Sequence, residues 1–174
     1  MGQIILASAS PRRKELLEQI GLEFEICPAK GEEVISKSAP EEVVIELSGQ
    51  KATEVAAMVK TYESGHGELM TPQDILVIGA DTVVACDDTI LGKPKDEADA
   101  KRMLTLLSGR KHAVYTGVTF VFLDKNGRAG ALTFYEKTEV TMKPLSELEI
   151  DRYVATGEPM DKAGAYGIQG KCAI

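Results

Sequence analysis

The residues best suited to chemistry begin near the N-terminus, after a short apolar segment: Ser8, Ser10, Arg12 and Arg13. The apolar segment predicts a buried strand, and Pro11 predicts that a helix starts here with Ser10 as its N-cap. Free N–H groups of a helix N-terminus, two hydroxyls and two guanidinium groups together suit an oxyanion such as a triphosphate. An ordinary capped helix with two solvated arginines fits the same residues.

Two acidic segments are candidates for binding a hard metal ion. Asp81 lies in segment 79–82, which interrupts an apolar run that predicts a buried strand. Because burying an unpaired carboxylate is costly, we expect Asp81 to meet a cation, face a cleft or be protonated. That position suits Mg²⁺ or a general base, and Glu32 or Glu33 on a predicted loop would share the metal. An Asx-turn and a solvated acidic loop are the alternative interpretations.

Three lysines complete the candidate set: Lys51, Lys93 and Lys162. Lys51 interrupts an apolar helical stripe, so it either extends to water or reaches into a cleft. A solvated surface lysine is the alternative interpretation for all three, and only Lys51 is out of place in that role. Cations, a helix-end anion site and carboxylates for a hard metal are together what hydrolysis of a phosphoanhydride requires.

Strands that alternate with helices must position these residues, which predicts a single α/β domain. The predicted strands cover residues 3–7, 23–27, 74–86 with the interruption at 79–82, 89–91, and a hairpin of 114–122 and 133–142 around Asn126-Gly127. The first predicted helix follows Ser10 and stops at Gly21, and the second runs from a Ser38–Glu41 capping box to about Lys60. Two further helices open at Asp96 and at a Ser146–Glu149 capping box. Their apolar faces would include Leu16, Leu17 and Ile20 in the first helix and Val44, Leu47, Val55 and Met58 in the second, and residues 61–73 would form a loop.

The composition excludes several classes of protein. With 20 basic and 27 acidic residues the formal charge is −7, which disfavours nucleic acid as a partner. No apolar run approaches the roughly 20 residues that span a bilayer, so we expect no membrane association and a cytoplasmic protein. Cys27, Cys86 and Cys172 are scattered as reduced thiols would be, and His66 and His112 lack the spacing of metal ligands.

Seven ordered blocks of this sequence resemble the Maf family, the septum-formation-inhibitor-like nucleotide pyrophosphatases. They are LASASPRRKELL at 6–17, EE at 32–33, KA at 51–52, GADTVV at 79–84, GKP at 92–94, LSGR at 107–110 and DKAGAYGIQG at 161–170. The resemblance implies an α/β fold with a central mixed sheet flanked by helices, two lobes with a substrate cleft between them, and a homodimer. It also implies a nucleotide substrate and a divalent metal, Mg²⁺ or Mn²⁺.

The resemblance further implies roles for individual residues. Asp81 would be the base that activates water, Glu33 and Asp81 would bind the metal, and Lys51 and Lys93 would act at the phosphates. The remaining substrate-binding candidates are Ser8, Ser10, Arg12, Arg13, Thr82, Lys162 and Gln169. Among these, Arg12, Thr82 and Gln169 correspond to positions linked to the choice of base, and a Gln amide can pair with the imide edge of uracil or thymine. The block at 161–170 resembles the branch acting on dTTP and UTP rather than on 7-methyl-GTP.

The resemblance covers residues 1–174 as one domain. Members of the family usually continue through another strand and a final helix, so we expect the chain to lack these C-terminal elements. A nucleotide-binding regulator of cell division without turnover is the alternative function. A phosphotransferase lacks support, because the sequence contains no Gly-x-x-x-x-Gly-Lys-Ser/Thr loop.

Overall fold

The computed structural model describes residues 2–65, 74–87, 89–126 and 128–170, and the side chains of 61–65 lie outside this description. Within these ranges the strands are β1 (Gln3–Leu6), β2 (Glu25–Ile26), β3 (Ile75–Cys86), β4 (Thr89–Leu91), β5 (Lys111–Leu123) and β6 (Ala129–Thr141). The helices are α1 (Pro11–Gln19), α2 (Pro40–Gly65), α3 (Glu97–Leu107) and α4 (Glu147–Val154). Two 3-10 turns follow α4, at Glu158–Asp161 and Ala163–Ala165.

The strands form one six-stranded mixed sheet. Its order is β2-β1-β3-β5-β6, and β4 pairs with β3. β1 is parallel to both β2 and β3, whereas β3 and β4 are antiparallel. β5 and β6 are neighbours joined by residues 124–128, a connection too short for a parallel crossover. The predicted α/β class with a central mixed sheet is confirmed.

The chain divides into two compact units, each with its own apolar core. The first comprises Met1–Asp81 and Gly117–Tyr135, and the second Thr82–Thr116 and Glu136–Ile174. The core of the first joins α2 to β1, β3 and β5 through Ala52, Val55, Ile5, Val77 and Val121. The core of the second contains residues of α3 and α4, among them Leu104, Leu107 and Val154. The predicted cleft and the single-domain assignment stay predictions.

Several local predictions are confirmed. Asp96 caps α3 by accepting a hydrogen bond from the Asp99 amide at 2.7 Å. Ser146 and Glu149 form the reciprocal capping box of α4. Gly21 follows α1 with a φ of 74°, a conformation that favours glycine. Cys27 and Cys86 are free thiols, and Cys172 lies outside the described residues, as does His66.

The helices differ from prediction in three respects. None of the α1 residues is buried, and Leu16 and Ile20 of the predicted apolar face are exposed. α2 continues to Gly65, so the predicted loop is wrong for 61–65, and 66–73 lie outside the described residues. α2 begins at Pro40 and the Ala39 carbonyl accepts its first hydrogen bond, which makes Ala39 and not Ser38 the N-cap. Met58 is exposed rather than part of the buried stripe.

The strands also differ from prediction. β3 runs without interruption through residues 79–82, and the one acidic side chain there, Asp81, has a cationic partner in Lys51. β2 contains only Glu25–Ile26, and β6 begins earlier than predicted, at Ala129. In the first-unit part of β5, the buried side is formed by Thr119, Val121 and Leu123. Gly127 of the predicted turn lies outside the described residues. No helix in the described ranges is long and apolar enough to cross a membrane.

Candidate active site

Three charged side chains of the first unit meet at the Lys51 ammonium. Lys51 Nζ donates a short hydrogen bond to Asp81 Oδ1 and lies 2.9 Å from Glu33 Oε1. The side chains of Lys51 and Asp81 are 19% and 12% exposed, whereas that of Glu33 is 51% exposed. The structure therefore brings together the two acidic residues predicted to bind metal, with a lysine between them. The partner of Asp81 is the cation that its burial required.

A close approach of α2 to β3 positions this lysine. Gly79 lies two residues before Asp81, and a Cβ atom there would be 2.4 Å from the Ser48 carbonyl oxygen and 2.7 Å from the Ala52 amide nitrogen. Only a glycine allows the helix backbone to lie this near the strand. Lys51 is one residue before Ala52, so its side chain starts within reach of the Asp81 carboxylate.

The segment after β1 forms a compact arrangement around the Ser8 hydroxyl. Ser8 is buried, and its Oγ accepts hydrogen bonds from Arg13 Nη1 at 3.0 Å and from the Ser10 amide at 3.2 Å. Ser10 occupies the predicted N-cap position of α1, but its side chain makes no capping hydrogen bond. The Ser10 hydroxyl is thus not used in the way the sequence predicted.

Arg13 is partly buried among charged groups of the same unit. Burial is the main cause that lowers the pKa of its guanidinium, and the charge of Arg12 also lowers it. The negative charges of Asp81 and Glu33 raise this pKa. An arginine stays protonated at neutral pH despite such a shift. The Arg13 guanidinium donates a hydrogen bond to Ser8 Oγ, and its phosphate-binding role stays a prediction.

Glu33 and Asp81 form a donor set that suits a hard divalent cation in part. Their oxygens converge on one point, the position of the Lys51 ammonium. In the described ranges no cluster of three or more His, Cys, Asp and Glu side chains could hold a metal ion. Mg²⁺ is commonly held by one or two carboxylates with water and substrate phosphates as its other ligands. The pair fits that pattern, and a cation bound there would take over part of the role of Lys51.

The other predicted site residues belong to the second unit. Thr82 lies on β3, where its hydroxyl is 3.1 Å from that of Thr116. Lys162 Nζ donates to the Glu158 carbonyl at 2.8 Å and to Asp161 Oδ1 at 2.7 Å. Lys93 is exposed in the connection between β4 and α3, and Gln169 is exposed in the turn at 168–170.

The contacts of two sets of residues were not predicted from the sequence. Glu46, Gln50 and Glu54 of α2 bind the backbone of residues 30–36, which carry Glu33. The signal for this set in the sequence is the i, i+4, i+8 spacing of three polar residues on one side of a helix. Such a polar stripe is usually a solvated helix face. In the second unit, His112 Nε2 is 2.6 Å from the Tyr166 hydroxyl, and both residues are buried.

The first-unit groups can orient and deprotonate a water molecule and can bind anions. A carboxylate held in one orientation by a lysine suits a general base, because its free oxygen can accept a proton. The Arg13 guanidinium that is held at Ser8 suits phosphate oxygens. The second carboxylate, Glu33, suits a metal ion shared with the substrate.

Comparisons with known proteins agree with this chemistry. The model of the family described as Maf-like protein matches residues 3–174. A dTTP/UTP pyrophosphatase of Agathobacter rectalis is 70% identical over 100% of this chain and 85% of its own length. One of Lachnoclostridium phytofermentans is 48% identical over 99% of this chain and 82% of its own length. A solved HAM1 protein of Coxiella burnetii aligns over 100% of this chain and 91% of its own chain, at 17% identity and a TM-score of 0.48.

Proposed function

The chain belongs to the Maf-like protein family, and we propose that it hydrolyses dTTP and UTP between the α- and β-phosphates. The products are a nucleoside monophosphate and pyrophosphate. The observation that carries this assignment is the 70% identity, over the whole chain, to a dTTP/UTP pyrophosphatase. The geometry adds a mostly buried carboxylate with a lysine partner and an arginine-lined segment at the start of a helix.

Asp81 is the proposed general base. Lys51 donates to Oδ1 and fixes the orientation of the carboxylate, which leaves Oδ2 to accept a proton from the attacking water. Water attacks the α-phosphorus, the α–β bridging bond breaks, and the bridging oxygen leaves with pyrophosphate. When the polyanionic substrate binds near the carboxylates, the positive charge of Lys51 offsets part of their combined negative charge.

Glu33 and Asp81 would hold Mg²⁺ or Mn²⁺. When bound, this ion would polarise the phosphate oxygens and neutralise part of their charge. Glu33 is exposed and reaches the site from a loop. Its carboxylate can therefore give up the contact with Lys51 and bind a metal ion instead, and this change leaves no buried charge unpaired.

Ser8, Arg12 and Arg13 are the proposed phosphate-binding residues of the first unit. Ser8 Oγ accepts from Arg13 and so orients a guanidinium that presents further N–H donors. The roles assigned by resemblance to Ser10, Thr82, Lys93, Lys162 and Gln169 stay predictions, as do the cytoplasmic location and the homodimer.

Pyrophosphate release from a panel of nucleotides tests this function. The panel comprises dTTP, UTP, CTP, dATP, GTP and 7-methyl-GTP with Mg²⁺ or Mn²⁺, and each reaction is repeated with Asp81→Asn. Removal of a general base should lower kcat by about 10²-fold or more. Release from dTTP and UTP that disappears in the variant supports the proposal. Nucleotide binding by the wild type without any release would favour the alternative, a binding regulator.

A further inference from the structure

One stripe of α2 holds the loop that carries Glu33. Glu46, Gln50 and Glu54 recur every four residues and therefore lie on one side of the helix. Each of them hydrogen-bonds the backbone of residues 30–36, a stretch without helix or strand. We call these three side chains the clamp.

Gln50 forms the central contact of the clamp. Its Oε1 accepts from the Val34 amide at 3.0 Å, and its Nε2 donates to the Val34 carbonyl at 2.6 Å. Both polar groups of one backbone residue are therefore bound by one side chain, as a neighbouring strand would bind them. Val34 directly follows Glu33, whose carboxylate contacts Lys51. The contact between Gln50 and Val34 therefore fixes the backbone next to Glu33.

Glu54 and Glu46 bind the two ends of the loop. The Glu54 carboxylate accepts from the amides of Lys30 and Gly31 at 2.7 to 3.0 Å. A Cβ at Gly31 would lie 2.7 Å from Glu54 Oε2, so the missing side chain makes room for this contact. Glu46 accepts from the Ser36 amide at 2.9 Å and from its hydroxyl at 2.5 Å.

The clamp accounts for the position of Glu33. Val34 and Ile35 are 62% and 57% exposed, so apolar burial does not hold this part of the loop. An exposed loop without such contacts would sample many conformations, and Glu33 would spend little time near Lys51. Three contacts spaced along one rigid helix remove this freedom.

We propose that Glu46, Gln50 and Glu54 are positioning residues that hold Glu33 in place for metal binding and hydrolysis. This inference rests on the proposed function of Glu33 and Asp81. It assigns to α2 a second role besides presenting Lys51, because the same helix sets the positions of both the lysine and the acidic loop.

The test compares Gln50→Met and Glu54→Gln with the control Thr53→Ala, an exposed position on the same helix. Met matches Gln in length and helix propensity but cannot form the two hydrogen bonds. Amide hydrogen exchange is measured at Lys30, Gly31, Val34 and Ser36. Mn²⁺ binding is followed by calorimetry, and kcat, KM for dTTP and the half-saturating Mg²⁺ concentration are measured on the same proteins.

Gln50→Met should speed exchange at Val34, whereas Glu54→Gln should act at Lys30 and Gly31. A misplaced Glu33 should lower kcat by about tenfold and raise the half-saturating Mg²⁺ concentration, with a smaller change in KM for dTTP. Mn²⁺ binding should weaken in parallel, and Thr53→Ala should change none of these quantities.

Unchanged exchange at Val34 in Gln50→Met would overturn the proposal, because the clamp would not restrain the loop. Faster exchange with unchanged kcat, Mg²⁺ dependence and Mn²⁺ binding would overturn it as well. A wild type that hydrolyses no nucleotide would refute the proposed function, and exchange together with Mn²⁺ binding would still decide whether the clamp positions Glu33.

Discussion

The Lys51 ammonium of α2 donates a hydrogen bond to the Asp81 carboxylate of β3, and little of either side chain is exposed. This contact connects two elements that are far apart in sequence and pairs a buried carboxylate with a cation. The helix and the strand can lie this close because Gly79 has no side chain. The stability of the first unit and its proposed chemistry therefore involve the same few residues.

Lys51→Met should destabilise the protein by about 3 kcal/mol, because it leaves the buried Asp81 carboxylate without its cation. Urea unfolding measures this loss. The control is Lys14→Met, which removes an exposed pair with Glu18 at 3.6 Å and should change stability by less than about 0.5 kcal/mol. Adding Asp81→Asn to Lys51→Met should recover part of the loss. If Lys51→Met and Lys14→Met lowered the free energy of unfolding by the same amount, this result would contradict a buried pair of Lys51 and Asp81.

Gly79→Ala should destabilise the first unit by about 1–3 kcal/mol, since its Cβ would overlap the backbone of α2. The same substitution at Gly130 of β6, where a Cβ would meet nothing within 4 Å, should change stability by about 0.5 kcal/mol or less. Thermal or urea unfolding of the two variants gives the comparison. An unaffected Gly79→Ala protein would show that α2 does not lie as near β3 as described.

Ser146→Ala should cost about 1 kcal/mol of stability, because the Ser146 hydroxyl accepts from the Glu149 amide at the start of α4. Ser10→Ala is the matched control: Ser10 is also an N-cap, but its side chain makes no capping bond, so the loss of stability should be smaller. Urea unfolding under identical conditions separates them. A larger loss for Ser10→Ala would contradict the described caps.

The capping box also predicts an acid dependence. The hydrogen bonds from the backbone and side chain of Ser146 lower the pKa of Glu149 to about 2, and Lys143 adds to this effect. A carboxyl with a lowered pKa stabilises the fold above its ordinary pKa of 4.5, and this contribution disappears as the pH falls towards about 2. Glu149→Gln should therefore lose less stability than the wild type between pH 5 and pH 2, measured by urea unfolding. An identical loss in both proteins would exclude this role of Glu149.

His112 predicts a pH dependence nearer neutrality. Burial lowers the pKa of its imidazole below the ordinary value of 6.5, so the folded protein favours the neutral ring. Its contribution to stability is complete above pH 6.5 and is lost as the pH falls through the lowered pKa, because the unfolded chain binds the proton more readily. His112→Gln should flatten the decline in unfolding free energy between pH 7.5 and 5. A decline as steep as that of the wild type would contradict a buried neutral His112.

Local signals in the sequence predicted the local structure well. The Ser146–Glu149 capping box, the Asp96 cap and the glycine after α1 each depend on a few adjacent residues, and each is present. The position of Lys51 on an apolar stripe left two outcomes open, extension to water or a reach into a cleft, and the structure pairs its ammonium with the two predicted acidic residues.

Contacts between residues that are far apart in the sequence could not be predicted from such local signals. Asp81 was read as a break in a strand because its partner, Lys51, is thirty positions away in the sequence. Glu46, Gln50 and Glu54 have the composition of a solvated helix face, and only the fold shows that they bind the loop at 30–36. The apolar residues of α1 predicted a buried face, but burial depends on which elements lie beside a helix.

The position of bond cleavage shows which phosphorus atom of the nucleotide water attacks. dTTP is hydrolysed in ¹⁸O-labelled water with Mg²⁺, and the products are identified by mass spectrometry. Water attack at the α-phosphorus should give dTMP that carries one ¹⁸O atom together with unlabelled pyrophosphate, and both products should be lost in Asp81→Asn. Formation of dTDP and inorganic phosphate, or ¹⁸O in pyrophosphate, would contradict water attack at the α-phosphorus.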